Sequence, residues 1–207
     1  LFLINGSEGI AVGMTTSTPP HNLGEIINAE KLLMEFPNAT TADLLDIIEG
    51  PDFPTGGIVT NKDELLSIYE TGRGKIRIRG KAEIVRGKRK SDRDKIVITE
   101  IPYTMVGANI GKFLSDVAAL AESRKLPDIV DISNQSSKEG IRIEIELKKG
   151  ADAERILAGL YKKTKLEDTF GVNMLAIVDG RPEVLGLKEV LTHHIQFLVD
   201  INTRKYT

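Results

Sequence analysis

Four cations recur at every second position in Lys75, Arg77, Arg79 and Lys81, with Ile76 and Ile78 between them. A period of two is that of a strand with unlike faces, so the isoleucines are expected to face a core and the cations to face outward. Such a row can hold phosphate oxygens without reading base identity. Four contacts of this kind would make log K fall with log salt at a slope of about −3.6. The ordinary alternative is a solvated strand face. A second stretch, Gly9-Ile10-Ala11-Val12-Gly13, is apolar and flanked by glycines. The glycines let the backbone bend, and Ile10 and Val12 point the same way if the stretch is extended. A tip of that kind can be pushed between stacked bases. It can equally be a short buried strand between two turns.

Other chemistries are poorly provided for. The chain has no cysteine, so disulfides and thiolate metal sites are excluded, and its three histidines are His21, His193 and His194. Adjacent residues on a helix cannot both face one metal, and no carboxylate cluster has ligand spacing around them, so no metal site is expected. His21, behind Pro19-Pro20, is expected to cap or pack at a helix entrance. Gly50 to Gly57 reads as a structural turn, because it lacks the Lys-Ser/Thr ending and the strand-to-helix setting of a phosphate loop.

With 207 residues, 41% hydrophobic and 28% charged, the chain can bury a sizeable core as one large domain or two small ones. No apolar run reaches membrane-spanning length and no secretory leader is visible. The absence of cysteine suits a cytosolic protein. Leu1 opens inside an apolar run and the last helix reaches Thr207 without a stop signal, so a fragment of a longer polypeptide is expected. The net charge of −2 conceals a local excess: Arg73 to Lys95 holds eleven Lys or Arg against Glu83, Asp92 and Asp94. An anionic partner would be steered to that segment.

The elements that must carry these residues follow from pattern. Asn22 with Glu25 reads as a capping box opening a helix that Pro37 stops. A second helix is expected over 41–49 and a third from Asn61 and Glu64 to Gly72, with a short strand at 57–59 between them. Lys75 to Lys81 is a strand, 86–92 a polar turn, and 95–101 an antiparallel return, which puts the basic residues on a hairpin. From there the order is strand 95–101, helix 107–124, strands 128–133 and 141–147, helix 151–162 and strand 172–178. That β-α-β-β-α-β order is the pattern of a ferredoxin-like unit with two helices on one face of an antiparallel sheet. Asp179-Gly180 marks a hairpin turn. From Leu187 onward, apolar residues at steps of three and four predict a long amphipathic helix. The fold class is α+β.

The stretch from Asn5 to Glu25, Gly50-Pro51-Asp52-Phe53-Pro54-Thr55-Gly56-Gly57, Thr71-Gly72-Arg73-Gly74-Lys75, Thr99-Glu100-Ile101-Pro102-Tyr103 and Thr169-Phe170-Gly171-Val172-Asn173-Met174 together resemble the A subunits of bacterial type IIA topoisomerases, DNA gyrase and topoisomerase IV, in the same order. The resemblance covers nearly the whole chain. It reads slightly more like gyrase, although Thr15-Thr16-Ser17-Thr18 departs from the usual small-residue wording.

The resemblance implies three regions: residues 1–36 as the end of a winged-helix region with a wedge, 37–185 as a tower domain with the ferredoxin-like unit at about 95–178, and 186–207 as the start of a coiled-coil arm. It implies that Ile10 inserts between base pairs of the gate duplex and bends it. Arg73, Lys75, Arg77, Arg79 and Lys81 would contact phosphates of the flanking duplex, with Arg86, Lys88, Arg89 and Lys90 as auxiliaries. The family's nucleophilic tyrosine follows an arginine upstream of this stretch, so Tyr69, Tyr103, Tyr161 and Tyr206 are read as packing residues and no catalytic residue is expected here. Magnesium and ATP belong to the partner subunit. The implied partners are double-stranded DNA, the topoisomerase B subunit, and a second copy of the A subunit, with the bacterial cytoplasm as the setting. Two rivals stand beside this reading: a free-standing nucleic-acid-binding module built on the ferredoxin-like sheet, and an interaction domain that touches no DNA.

Overall fold

A computed structural model describes residues 2–88 and 92–206, with the Ala108 side chain set aside. The chain divides into two compact units, residues 1–53, 61–76 and 171–207 in one and 54–60 with 77–170 in the other. Two strands, β4 (Arg73–Arg79) and β9 (Glu167–Asn173), pass from one unit into the other.

The first unit starts with one helical turn, α1 (Phe2–Asn5), and an antiparallel hairpin of β1 (Ser7–Ala11) and β2 (Met14–Thr18). Helix α2 (Leu23–Glu35) begins where Asn22 Oδ1 accepts the backbone N–H groups of Gly24 at 2.9 Å and Glu25 at 3.2 Å. The expected reciprocal box is not completed there, since the Glu25 carboxylate turns to the Glu49 backbone. The full box occurs one helix later, between Thr40 and Asp43 at the start of α3 (Thr41–Leu45). That helix stops four residues short of its expected end, because the chain tightens at Ile47, whose N–H reaches back only to Leu44.

Helix α4 (Leu65–Thr71) is not capped by Asn61, whose side chain donates to the Lys75 carbonyl at 2.8 Å instead. The expected strand 172–178 is split at Met174: β9 ends at Asn173, and β10 (Leu175–Val178) pairs with β11 (Arg181–Val184). Asp179 and Gly180 both take positive φ, +49° and +78°, as a tight primed turn requires. Helix α7 (Leu187–Tyr206) buries Leu187 and Leu191 and leaves Phe197, Val199 and Ile201 exposed.

The second unit is a four-stranded antiparallel sheet in the order β5 (Lys81–Val85), β6 (Lys95–Glu100), β8 (Ile143–Leu147), β7 (Ile129–Asn134), with α5 (Ala108–Glu122) and α6 (Ala153–Lys163). Ile96, Ile98, Ile143 and Ile145 face Phe113, Val117, Ile156 and Leu160, all buried. Each such side chain, fully buried, contributes about 1.5–3 kcal/mol, so this helix-covered face holds the unit together.

The β-α-β-β-α-β chain order is present, but the ferredoxin-like sheet expected from it is not formed in full. The fourth strand, β9, leaves for the other sheet, and β5 takes the edge beside β6. The cause lies at Gly80. The expected single strand 75–81 breaks there, where the Gly80 N–H bonds the Leu166 carbonyl at 2.8 Å, so Lys81 begins a new strand in a different sheet.

Candidate nucleic-acid interface

The β1–β2 hairpin closes through Val12 and Gly13, with Ala11 opposite Met14 and Gly13 at φ +77°. Its tip is apolar and bare: Ile10 is 88% exposed, Val12 100% and Met14 42%. The alternative of a short buried strand is therefore excluded for this stretch. Such exposure of two branched aliphatics has no folding benefit, since their apolar surface stays in water. It suits a tip that inserts into something else.

The foot of the hairpin is held firmly. His21 is buried; its Nδ1 lies 3.0 Å from the Leu3 carbonyl oxygen and its Nε2 2.7 Å from the Tyr69 hydroxyl. A carbonyl can only accept, so Nδ1 carries the proton and Tyr69 donates to Nε2. Burial, the largest influence, lowers the His21 pKa and keeps the ring neutral, while it raises that of Tyr69. His21 thus packs and does not cap. Further up, Asn173 donates to the Thr15 carbonyl at 2.6 Å and Thr16 to the Leu175 carbonyl at 2.9 Å.

Beside the tip lies an open groove of about 620 Å³ lined by Ala11, Gly13, Met14, Thr15, Arg73, Val172, Asn173 and Leu175. Arg73, exposed, is its only charged member. It is set there by Gly72, which closes α4 at φ +68°; a Cβ on Gly72 would stand 2.2 Å from the Leu185 carbonyl oxygen. Only glycine fits that position.

The cationic strand does not present its charges uniformly. Lys75 is exposed, and Arg77 is exposed but not without a partner. Arg79 pairs with Glu167 at 2.5 Å and lies over the Tyr161 ring, 4.6 Å from its centroid. Tyr161 in turn donates to the Gly80 carbonyl at 2.9 Å. Lys81, now on β5, stands 3.9 Å from Glu100. In the turn that follows, Arg86 pairs with Asp94 at 2.7 Å, and Lys88 is exposed. Arg89 and Lys90 lie outside the described residues.

Pattern reading missed a carboxylate-centred cluster on the open face of the second unit's sheet. Glu144, with a side chain only 8% exposed, accepts from Arg142 Nη2 at 2.7 Å and Lys95 at 3.1 Å. Arg93 and Lys95 also reach Glu146, at 3.6 Å each. Hydrogen bonds from Arg142, then from Lys95, hold the Glu144 pKa below the usual carboxylate range. The signal was present in the alternation of Glu144 and Glu146 with Ile143 and Ile145, on a strand that pairs with the one carrying Lys95.

Tyr69 and Tyr161 are packed as described, Tyr103 lies against Phe170 with centroids 6.4 Å apart, and Tyr206 is exposed. Among the described residues no group of three or more His, Asp or Glu is arranged to hold a metal, and no helix is long and apolar enough to cross a membrane.

The described residues form a mixed α+β fold with three antiparallel sheets and a long C-terminal helix. Residues 1–207 match the family of the DNA gyrase/topoisomerase IV A subunit, and the chain belongs to that family. It is 48% identical over 204 residues to the DNA gyrase A subunit of Clostridium acetobutylicum, covering 99% of this chain and 24% of that protein. It is 45% identical to that of Lawsonia intracellularis, with the same coverage. To the chloroplastic/mitochondrial DNA gyrase A subunit of Arabidopsis thaliana it is 43% identical, over 99% of this chain and 21% of that protein. The chain thus spans a fifth to a quarter of the length of these relatives.

Proposed function

We propose that this chain is a mechanical part of the DNA breakage-reunion subunit of an ATP-dependent type IIA topoisomerase. Residues 1–36 end the winged-helix region and carry the wedge, 37–185 form the tower with a ferredoxin-like unit modified at its edge strand, and 186–207 begin the coiled-coil arm. Ile10 enters a base step of the gate segment, and exposed cations on β4 and the following turn grip the flanking duplex. Unstacking costs a few kcal/mol per step, and the bend it permits brings more DNA onto protein. Strand passage, the partner B subunit with its magnesium and ATP, the second copy of the A subunit, and a place on the bacterial chromosome in the cytoplasm belong to the whole enzyme. Every step assigned to this chain concerns holding and bending DNA.

The single observation that carries the reading is the exposure of Ile10 at the end of a hairpin whose foot is anchored by His21 and Tyr69. A rigid foot lets force at the tip act on the duplex and not on the protein. The test is Ile10→Ala in the full-length enzyme. Bending, read by fluorescence transfer across a short duplex, and strand passage should fall together, with folding unchanged. Equal bending by variant and parent removes the proposal. A free-standing single-strand binder would need aromatics centred on its sheet. Tyr103 and Phe170 lie against each other, one outside a strand and one on β9, which is absent from the four-stranded sheet.

A further inference from the structure

Sequence pattern assigns Arg73 and Ile10 to different devices, a phosphate track and a wedge. The structure places Arg73 in the groove beside the wedge hairpin, whose lining takes in Ala11, Gly13, Met14 and Thr15 but not Ile10 itself. Ile10 stands opposite Thr15 in the β1–β2 register, and Thr15 lines the same groove as Arg73. The Thr15 carbonyl is fixed by Asn173, another groove residue, so the wall facing Arg73 is held in place from within the same unit. The remaining lining is small or apolar apart from Asn173 and Thr15. The hairpin's own carboxylate, Glu8, sits opposite Ser17, three register positions from the tip pair Ala11 and Met14, and does not line this groove. No ion pair to Arg73 is found among the described residues.

From this placement we infer that Arg73 is a positioning residue for the wedge: its guanidinium binds a backbone phosphate beside the base step that Ile10 opens. The inference rests on the wedge reading above. Phosphates follow one another at about 3.4 Å of helix axis per strand, so a step opened by a side chain is flanked by a phosphate on each strand that a cation beside the wedge hairpin can reach for. Guanidinium forks hold such oxygens in a fixed orientation, which an ammonium does not do as well. Arg73 would thereby hold the step in register while Ile10 keeps it open. The two side chains should act as one unit, in contrast to Lys75 and the cations beyond it, whose contributions add independently.

The experiment uses the full-length A subunit in complex with its B subunit, on a duplex labelled for fluorescence transfer, with four proteins: parent, Ile10→Ala, Arg73→Ala and the double variant. Affinity is followed from 50 to 200 mM salt. Arg73→Ala should reduce the steepness of the salt dependence by about 0.9, the loss of one phosphate. It should reduce bending nearly as much as Ile10→Ala does, and the double variant should bend no less than the worse single one. Arg73→Lys should restore the salt slope but only part of the bend. An unchanged slope in Arg73→Ala overturns the inference, and so does a double variant whose bending loss is the sum of the two. The underlying wedge reading fails separately, if Ile10→Ala bends DNA as the parent does; the slope of Arg73→Ala reports on the phosphate contact in either case.

Discussion

Two hairpins of this chain use their exposed side chains in opposite ways. The β1–β2 hairpin leaves Ile10 and Val12 uncovered although burial would favour them. The β5–β6 hairpin, richest in charge, directs much of that charge to its own sheet: Lys81, Arg86, Arg93 and Lys95 all stand beside Glu or Asp of the same unit. The two hairpins thus differ in what their exposed side chains already hold: the cations of one stand beside carboxylates, while the aliphatics of the other face solvent. A paired cation must leave its carboxylate to hold a phosphate, although exposed pairs of this kind contribute only about 0–1 kcal/mol. An exposed isoleucine has nothing to give up.

The two hairpins would cease to differ in role if the apolar one could be truncated without effect. Ile10→Ala should lower strand passage by about tenfold or more, since filling an opened step offsets a few kcal/mol of unstacking. Next in size is Glu144→Ala, which leaves Arg142 and Lys95 facing each other without their shared acceptor. The second unit should lose about 1–3 kcal/mol of stability, read as a lower melting temperature of the chain. An unaltered melt would mean that the Glu144 contacts do not help to hold this sheet together.

A smaller effect sharpens the assignment on β4. In the double variant Arg77→Ala, Arg79→Ala of the full-length enzyme, the salt slope of DNA binding should flatten by about 1.8 if both side chains hold phosphates. An unchanged slope makes them bystanders, which the Glu167 pairing of Arg79 already favours for that residue.

The mildest prediction concerns the apolar hairpin's foot. His21 has its pKa lowered by burial, so below the ordinary histidine value of about 6.5 the unfolded chain takes up a proton that the folded one refuses. Stability should fall as pH drops below that value and level off at neutral pH. Melts between about pH 5 and 7.5 should show the slope in the parent and a reduced one in His21→Gln.

How much of this was legible beforehand depends on the range of the interaction. Helices α2, α5, α6 and α7 and the alternating strand β8 were readable, because their apolar spacing is local. So was the Asp179-Gly180 turn, where the dipeptide itself fixes the backbone. The replacement of β9 by β5 at the sheet edge was not readable. It depends on the bond between Gly80 and Leu166, two residues 86 positions apart, and no local pattern encodes it. The same limit hid the pairing of Arg79 with Glu167 and the burial of His21 on Tyr69. For the apolar tip, spacing alone favoured a buried strand over insertion, and only the family resemblance turned the reading towards a wedge. Exposure decided against the buried strand, and exposure is a property of the folded chain alone.

The most direct test places a fluorescent adenine analogue, quenched by stacking, at successive positions along a gate duplex bound by the full-length enzyme. At one step in each half of the site the parent should raise the emission, and Ile10→Ala should not. An equal rise with both proteins, or none at any position with the parent, would contradict the claim that this hairpin opens DNA.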